Sequence, residues 1–335
     1  MTPSDAANRP DPADDEVTLA DLGEDGVLAR IFPRLPRGRS TLLGPGDDGA
    51  VVAAPDGRAV VSTDVLVEGR HFRREWSTGA DVGWRAAVQN LADIAAMGAR
   101  PTALVVALVC PLDLPVSWLT GLADGLAAAC DPDVGVVGGD LSAGDELVVC
   151  VTVLGDLDGA APVLRSGARP GDVLAHAGVR GRSAAGLAAL DAGYGDELPD
   201  VVKGYLRPVS PLAAGPAAAR AGATAMLDVS DGLLRDAGRI ALASGVTLDV
   251  DEPRRAFGPD LEALERAEKL LGLDAVAWVL AGGEDHGLLA TFPPSAVLPE
   301  EFRVIGRVLP RTDGPRVLVG GHPPHGVVGW DHFRV

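Results

Sequence analysis

The sequence predicts a mixed α+β protein of two domains, each a sheet with helices on one face. Strand patterns and helix patterns alternate in both halves of the chain, without strict β-α-β repetition. A stretch rich in Gly, Pro and Arg, residues 155–171, lies between the halves and is typical of an interdomain connection. We therefore expect a disordered acidic tail at 1–18, an N-terminal domain at 19–158 and a C-terminal domain at 159–335.

Helical periodicity and capping residues define the first half. Ser77-Thr78-Gly79-Ala80-Asp81 is an N-cap sequence, and the helix after it is expected to end at Met97, with Gly98 as the C-cap. Asn90 and Asp93 fall on the flank opposite its apolar face, where a solvated position is the simplest interpretation of Asp93. The other predicted elements of this half are a helix at Leu22–Leu35, a strand at Pro101–Val109, a helix at Val116–Cys130, a strand at Val134–Val137 that stops at Gly138-Gly139-Asp140, and a strand at Glu146–Leu154.

A β-hairpin is predicted around Pro55-Asp56-Gly57-Arg58, because apolar β-branched runs flank these turn residues. With 55–58 as the turn, Asp64 would pair with Gly49. The pairing would bring a set of oxygen-bearing side chains to one end of a small sheet: Asp47, Asp48, Ser62, Thr63 and Asp64. Clustered carboxylates repel unless a cation lies among them, and hard oxygen ligands suit Mg²⁺. Ordinary turn and strand-end chemistry explains this one cluster equally well.

The second half continues with short strands and helices. Ser230 is placed to cap a helix, with Asp231 in its first turn, which explains both residues structurally and leaves Asp228 at a strand end without a role. The predicted elements are strands at Asp172–Ala177, Thr224–Leu227, Val246–Val250 and Gly287–Phe292, edge strands at Val304–Val308 and Val317–Val319, and helices at Ser183–Ala192, at Leu212–Ala221, from the Ser230 cap onward, at Pro259–Leu271 and at Ala275–Leu280.

Composition narrows the classes of function. A net charge of −18 argues against a nucleic-acid surface, which needs a basic stripe. The apolar runs are too short to span a bilayer, and the acidic N-terminus has neither the basic start nor the apolar core of a signal peptide. Three cysteines without a Cys-x-x-Cys pair indicate reduced thiols, so a cytoplasmic protein is expected.

Aspartates beside Gly, Ser or Thr recur in both halves. A site that holds several Mg²⁺ ions between two domains would explain them together and would suit the phosphates of a nucleotide. The set comprises Asp47, Asp48, Asp64, Asp93, Asp140, Asp228 and Asp231. The P-loop and protein-kinase motifs are absent, and the two lysines, Lys203 and Lys269, follow no glycine-rich loop. If the chain binds ATP, metal ions and arginine must neutralise its phosphates.

Short motifs along nearly the whole chain resemble the thiamine-monophosphate kinase family, within the superfamily that includes aminoimidazole ribonucleotide synthetase and selenophosphate synthetase. The motifs are GDDGAVV (46–52), STDVLVEGRHF (62–72), NLADIAAMGARP (90–101), VGGD (137–140), RSGARPGD (165–172), DVSDGL (228–233), GGED (282–285) and WDHF (330–333). The resemblance implies an N-terminal sheet domain that forms a homodimer and a C-terminal α/β domain over the active cleft. It also implies Mg²⁺-dependent transfer of the γ-phosphoryl group of ATP to thiamine monophosphate.

The resemblance also implies site residues. Asp64 and Asp231 would be the main catalytic residues, and Asp47 an additional ligand or a neighbour of the ligands. The implied Mg²⁺ ligands are Asp48, Ser62, Thr63, Asp64, Asp93, Asp140, Asp228 and Asp231. The implied ATP contacts are Gly139, Asp140, Arg165 and Ser230, and the implied contacts to thiamine phosphate are His71, Glu284 and Trp330.

The chain departs from the family pattern at two places. Leu141-Ser142 stands where the family has Thr-Thr, and His286-Gly287 stands where it has Tyr-Glu. Two alternatives to the kinase stay open at this point: another ATP-using enzyme of the superfamily with a different acceptor, and a non-catalytic nucleotide-binding homologue. Selenophosphate synthetase is disfavoured because no cysteine precedes Gly46-Asp47-Asp48, and a hydrogenase-maturation dehydratase because no cysteine follows Cys150.

Overall fold

The computed structural model describes residues 17–45 and 49–330. These residues divide into two compact units, the first ending at Asp156 and the second beginning at Leu157, except that Leu91–Arg100 belong to the second. The division lies close to the predicted boundary at 158/159. Both units contain strands and helices, as the predicted mixed α+β class requires. Most of the predicted tail lies outside the described residues.

The first unit carries a four-stranded sheet of order β3-β6-β4-β5 and a separate pair, β1-β2. Its elements are α1 (Leu19–Ile31), a 3-10 turn (Phe32–Arg34), β1 (Thr41–Leu43), β2 (Val51–Val52), β3 (Val60–Val67), α2 (Gly79–Ala96), β4 (Arg100–Cys110), α3 (Val116–Ala129), β5 (Gly135–Ala143) and β6 (Val148–Asp156). Residues 91–96 of α2 and Arg100 of β4 belong to the second unit.

The two faces of the four-stranded sheet differ. On one face Leu66, Val106 and Val151 are buried, and side chains of α1 and α3 lie over β4. On the other face Val61 is 60% exposed and Val65 45% exposed among the described residues. We call this second side the open face of the sheet. Period-two alternation along β3 explains the contrast, because neighbouring strand residues point to opposite faces.

The predicted hairpin is wrong, although its turn exists. The Gly57 N–H donates to Ala54 O over 3.0 Å, but β2 pairs with β1. β3 pairs antiparallel with β6 along its whole length, so Asp64 lies opposite Val151 and not opposite Gly49. Pairing with β6 provides backbone hydrogen-bond partners along all eight residues of β3, whereas the two-residue strand β2 could provide very few.

The predicted α2 is confirmed, with Thr78 and Asp81 forming a reciprocal capping pair at its start and Gly98 in a left-handed conformation after its end. The flank assigned to solvent is not solvated throughout. Asn90 is fully buried and donates to Ala86 O, and Asp93 is half-buried.

The second unit is built on a six-stranded sheet of order β12-β9-β11-β7-β10-β8. Only the β12–β9 pair is parallel. Its elements are β7 (Val173–Ala177), α4 (Arg182–Asp191), α5 (Pro199–Leu206), α6 (Ala214–Arg220), β8 (Ala225–Val229), α7 (Leu233–Ser244), β9 (Val246–Val250), α8 (Pro253–Ala256), α9 (Gly258–Leu271), α10 (Ala275–Ala281), β10 (Gly287–Phe292), β11 (Phe302–Pro310) and β12 (Val317–Val319).

This sheet has helices on both faces, which corrects the expectation of one covered face. Leu227 packs in a cluster with residues of α7, α9 and α10, whereas its neighbour Met226 packs with α6 and with Ala95 and Ala96. Every residue of β8, β9 and β10 is buried, as two-sided cover requires.

Three local predictions are also corrected. Asp140 lies within β5 and Asp228 within β8, because pairing with β4 and β10 continues past the predicted ends. Ser230 is not a helix cap, since α7 begins after Gly232, whose φ of 113° favours glycine.

His176 on β7 is a buried titratable group in this sheet. It lies edge-on to Phe257, and burial, with Arg180 and Arg303 nearby, lowers its pKa well below the ordinary value. The folded chain therefore keeps the imidazole neutral, whereas the unfolded chain takes up a proton below about pH 6.5. The resulting stability is present above that pH and is lost as the pH falls.

We expect His176→Leu to flatten the acid side of the stability curve. The unfolding free energy of the variant relative to the wild-type chain should rise by about 1 kcal/mol between pH 6 and pH 5, because only the wild-type unfolded state gains a proton at residue 176. Urea unfolding at several pH values measures this difference. The exposed His322→Gln should give a curve parallel to that of the wild type, and a parallel curve for His176→Leu would contradict the prediction.

Candidate functional site

The first unit holds its predicted site residues on two strands at opposite edges of one sheet. Ser62, Thr63 and Asp64 lie on β3, and Gly139 and Asp140 on β5. Three interstrand spacings separate the edges, about 14 Å. Asp64 faces the helix-covered side with its partner Val151, whereas Asp140 pairs with Ala107 on the open face. Within this unit, the sheet keeps the two aspartates apart.

Thr63 and His71 have defined hydrogen bonds. The Thr63 hydroxyl donates to Val151 O over 2.9 Å. His71 follows β3, and its Nδ1 accepts the Val67 N–H over 3.0 Å. A ring nitrogen that accepts a hydrogen bond carries no proton, so the proton of neutral His71 is on Nε2. That nitrogen is then the donor that the imidazole offers.

The second unit brings three predicted segments together at one end of its sheet. β8 and β10 are neighbours, and Val229 pairs with Gly287, so the segments 228–232 and 282–286 lie side by side. The Glu284 N–H donates to Ser230 O over 2.8 Å, and the Trp330 N–H donates to Asp231 O over 2.8 Å. Asp228, Ser230, Asp231, Glu284 and Trp330 are thereby held in one place.

Glycine permits this close contact. A side chain on Gly283 would collide with the Ser230 carbonyl, and one on Gly329 would collide with the Asp231 carbonyl. The Gly-Gly of GGED and the Gly before Trp330 are therefore required by packing of backbone against backbone.

The Glu284 backbone is strained. Its φ is 68° and that of His286 is 52°, values that side-chain-bearing residues rarely adopt. Asp285 between them is buried, and its carboxylate accepts the N–H groups of Gly181 and Ser183 over 2.6 and 2.8 Å. These bonds fix the loop to the start of α4 and so hold Glu284 in its conformation.

Arg180 completes this attachment. Its fully buried guanidinium lies 3.3 Å from the Asp285 carboxylate and donates to the carbonyls of Val279 and Gly282. Burial raises the pKa of Asp285, and the charge of Arg180 opposes that rise. The pair therefore neutralises two charges that would be costly alone.

Carboxylates crowd around the start of α7. Asp236 is buried, and its Oδ2 accepts the Asp231 N–H over 3.0 Å. Burial raises the pKa of Asp236 to about 6; Arg239 opposes the rise, and the charges of Asp228 and Asp231 add to it. Arg239 also donates to Asp231 Oδ2 over 2.5 Å, and Asp228 lies 3.6 Å from His286 Nδ1.

This donor set is chemically suited to Mg²⁺. Carboxylate oxygens are the hard ligands that Mg²⁺ prefers. Within 17–45 and 49–330, no group of three or more His, Cys, Asp or Glu side chains has the arrangement of a preformed metal site. Arg239, with Arg235 at 3.7 Å, instead supplies positive charge beside Asp231 Oδ2.

Other predicted residues lie elsewhere or are not described. Asp47 and Asp48 fall outside the described residues. Arg165 is exposed in the segment before β7, where its carbonyl accepts the Ser244 hydroxyl. Asp93 lies on α2 just before Ala95 and Ala96, which pack on the same side of the six-stranded sheet as Met226.

Sequence reasoning did not identify Arg180, Asp236 or Arg239. Each acts through a buried or partly buried ion pair, and the sequence signal for such a pair is weak because its partners are distant or share a helix with ordinary polar residues. Asp236 alone carried a usable hint, since it lies in the first turn of the helix that follows DVSDG.

Comparison with known proteins identifies the family. The family models for AIR synthase related proteins match residues 46–157 with their N-terminal domain and residues 169–314 with their C-terminal domain. A thiamine-monophosphate kinase of Mycobacterium tuberculosis is 49% identical over 323 residues, which cover 96% of this chain and 95% of that protein. The chain belongs to the thiamine-monophosphate kinase family. The resemblance seen in the motifs is confirmed.

Two further members of the thiamine-monophosphate kinase family support the assignment. That of Corynebacterium glutamicum is 42% identical over 341 residues, covering 99% of this chain and all of that protein. The solved structure of AaThiL complexed with AMPPCP and TMP is similar with a TM-score of 0.75 at 31% identity, covering 95% of this chain and 99% of that one. The predicted two-domain fold is therefore confirmed at the level of the family.

The Arg180–Asp285 pair can be tested by stability. Asp285→Asn should lower the unfolding free energy by about 3–5 kcal/mol, because it leaves the Arg180 charge buried without a counter-charge. The double variant Arg180→Met/Asp285→Asn should recover part of that loss, since no buried charge remains. Urea unfolding measures both.

The exposed pair Glu265–Lys269 is a matched control for this experiment. Its side chains are 58% and 74% exposed, so Glu265→Gln should change the unfolding free energy by less than about 1 kcal/mol. Equal effects of Asp285→Asn and Glu265→Gln would show that the buried pair does not hold the loop.

Proposed function

We propose that the chain phosphorylates thiamine monophosphate to thiamine diphosphate, by direct in-line transfer of the γ-phosphoryl group of ATP. The observation that carries the proposal is the meeting of Asp228, Asp231, Glu284 and Trp330 at one end of the second unit's sheet, in a family of this named activity. AaThiL, with AMPPCP and TMP bound, supports ATP and thiamine monophosphate as the substrates.

The chemistry requires little from a general base. The acceptor oxygen of a phosphate monoester is already ionised near neutral pH, so the main difficulty is to bring two anions together in line. Asp228 and Asp231 would hold Mg²⁺, together with the other ligands that the resemblance implies, among them Asp64 and Asp140. Bound Mg²⁺ supplies the positive charge that offsets repulsion between the two phosphates.

The remaining residues bind and orient the organic substrate. Trp330 is 59% exposed and its backbone is anchored to Asp231 O, and its indole would stack on a cationic thiazolium or a pyrimidine. Glu284 carries a negative charge on a backbone fixed by Asp285, which suits a positively charged substrate. His71 would offer its Nε2–H as a donor.

Turnover with a panel of acceptors tests this function. We expect release of ADP from ATP with thiamine monophosphate and none with thiamine or with aminoimidazole ribonucleotide precursors. No turnover with thiamine monophosphate would refute the proposal.

Asparagine variants of the proposed ligands test the metal assignment. Asp64→Asn and Asp231→Asn should each lower turnover by about 100-fold or more and raise the Mg²⁺ concentration at half-maximal rate, because each removes a ligand charge without emptying a core. The exposed Asp113→Asn serves as the control and should behave like the wild-type chain. Normal turnover of either ligand variant would contradict the assignment.

The open face of the four-stranded sheet supports a homodimer. Along β3 it presents Val61, Thr63 and Val65, an uncharged patch on a chain with a net charge of −18, so a second copy meets little repulsion there. In a two-fold interface the same patch of both copies is in contact, so each residue of the patch contributes from both subunits.

Introducing charge on this face should separate the copies. Val61→Glu is expected to shift the chain from dimer to monomer in sedimentation analysis, because each copy would bury an unpaired carboxylate in the interface. Val297→Glu, at a position 87% exposed in the second unit, should leave the dimer intact. A dimer that survives Val61→Glu would place the interface elsewhere.

A cytoplasmic location fits the cysteines and the biosynthetic role. Cys110, Cys130 and Cys150 are free thiols, and burial raises the pKa of Cys110 and of Cys130 to about 12. Such thiols stay protonated and unreactive at neutral pH. Among the described residues, no helix is both long and apolar enough to cross a membrane.

A further inference from the structure

A cavity of about 650 Å³ in the second unit carries positive charge on an otherwise acidic chain. Three cationic side chains from α4, α5 and the segment after α5 line it: Arg182, Lys203 and Arg207. We call it the basic cavity. Lys203 is one of only two lysines in a chain of net charge −18, so its meeting with two arginines is not a consequence of composition.

Close helix packing builds this cavity. A side chain on Gly186 of α4 would collide with the Val201 carbonyl of α5, and one on Gly204 of α5 would have its Cβ 2.8 Å from the Arg182 Cβ. Only glycine at both positions lets the two helices approach this closely. This close packing places Arg182, the first residue of α4, near Lys203 of α5.

Two of the three cations of the basic cavity carry uncompensated positive charge. Among the described residues, Arg182 and Lys203 have no ion pair or side-chain hydrogen bond. Asp285 also lines the cavity, but its carboxylate is engaged by Arg180, Gly181 and Ser183. Asp200 is the other acidic side chain in the lining, beside Arg182 and Lys203.

We propose that the basic cavity binds a phosphorylated organic anion without help from a metal ion. Arginine can grip phosphate oxygens with two parallel donors, and lysine adds a point charge. Val179, Val201 and Val209 in the lining offer apolar contact to the organic part of the ligand. The volume is that of a small-molecule site. This inference goes beyond the kinase reaction, whose proposed metal ligands are not part of the lining.

The cavity adjoins the loop that carries Glu284. Asp285 belongs both to the cavity wall and to the segment 282–286, and Gly178 in the wall packs against Gly287. A bound anion would therefore contact the same loop that presents Glu284.

Calorimetric titration of the full chain with inorganic diphosphate, in EDTA and without ATP or thiamine monophosphate, tests the proposal. We expect saturable binding of one diphosphate per chain. The double variant Arg182→Gln/Lys203→Gln should weaken it at least tenfold. The control variant Arg254→Gln/Lys269→Gln removes the same charge from exposed positions of the same unit and should bind like the wild-type chain.

Absence of saturable binding by the wild-type chain would overturn the proposal. Equal weakening of diphosphate binding in both double variants would also overturn it, because the effect would then come only from long-range attraction by the net charge. Phenyl phosphate should bind more tightly than inorganic phosphate because of the apolar wall, and equal affinities would overturn the assignment of an organic ligand. If the double variant does not fold, Lys203→Gln alone, at an exposed position, replaces it. EDTA removes Mg²⁺, so this binding assay does not depend on the proposed kinase reaction. A failed kinase assay would therefore not affect the result for the basic cavity.

Discussion

The buried ion pair between Arg180 and Asp285 is the interaction on which the second unit's site depends. Asp285 binds the start of α4, and Arg180 binds the carbonyls of Val279 and Gly282, so the GGED loop is held at both ends. A strained backbone persists only where its surroundings determine it, and Glu284 at a φ of 68° is such a case. The attraction between the two charges, together with the N–H groups of Gly181 and Ser183 that donate to Asp285, offsets the cost of burying the pair.

The acidic residues beside α7 pose a related problem of charge. Asp228, Asp231 and Asp236 lie close enough for their charges to raise the pKa of Asp236, and Arg239 partly balances them. An arginine that already donates to Asp231 can hold the loop in shape before any cation binds. It also competes with a cation for the same oxygen, so Mg²⁺ at Asp231 either shares Oδ2 with Arg239 or binds Oδ1.

The sequence predicted the periodic helices and strands but not the contacts between residues far apart in the chain. Periodic elements such as α2 were placed to within a residue or two, because their patterns follow from burial on one face. The hairpin failed because strand partners are chosen by the whole sheet, and β6 lies more than eighty residues after β3. Helix α5 escaped notice because it is short and contains Gly204. The motifs marked Asp228, Ser230, Asp231, Glu284 and Trp330, but the strain at Glu284 and the roles of Arg180 and Arg239 depend on contacts that no local pattern records.

The sheet of the first unit limits how its aspartates can be used. Ligand oxygens lie about 2.1 Å from Mg²⁺, so two that share one ion are at most about 4 Å apart. Asp64 and Asp140 sit on opposite edges and opposite faces of a four-stranded sheet, about 14 Å apart across the strands. One ion cannot bind both within one copy of the unit. A ligand set that includes both residues therefore requires at least two ions, or it draws its two carboxylates from two copies of the chain.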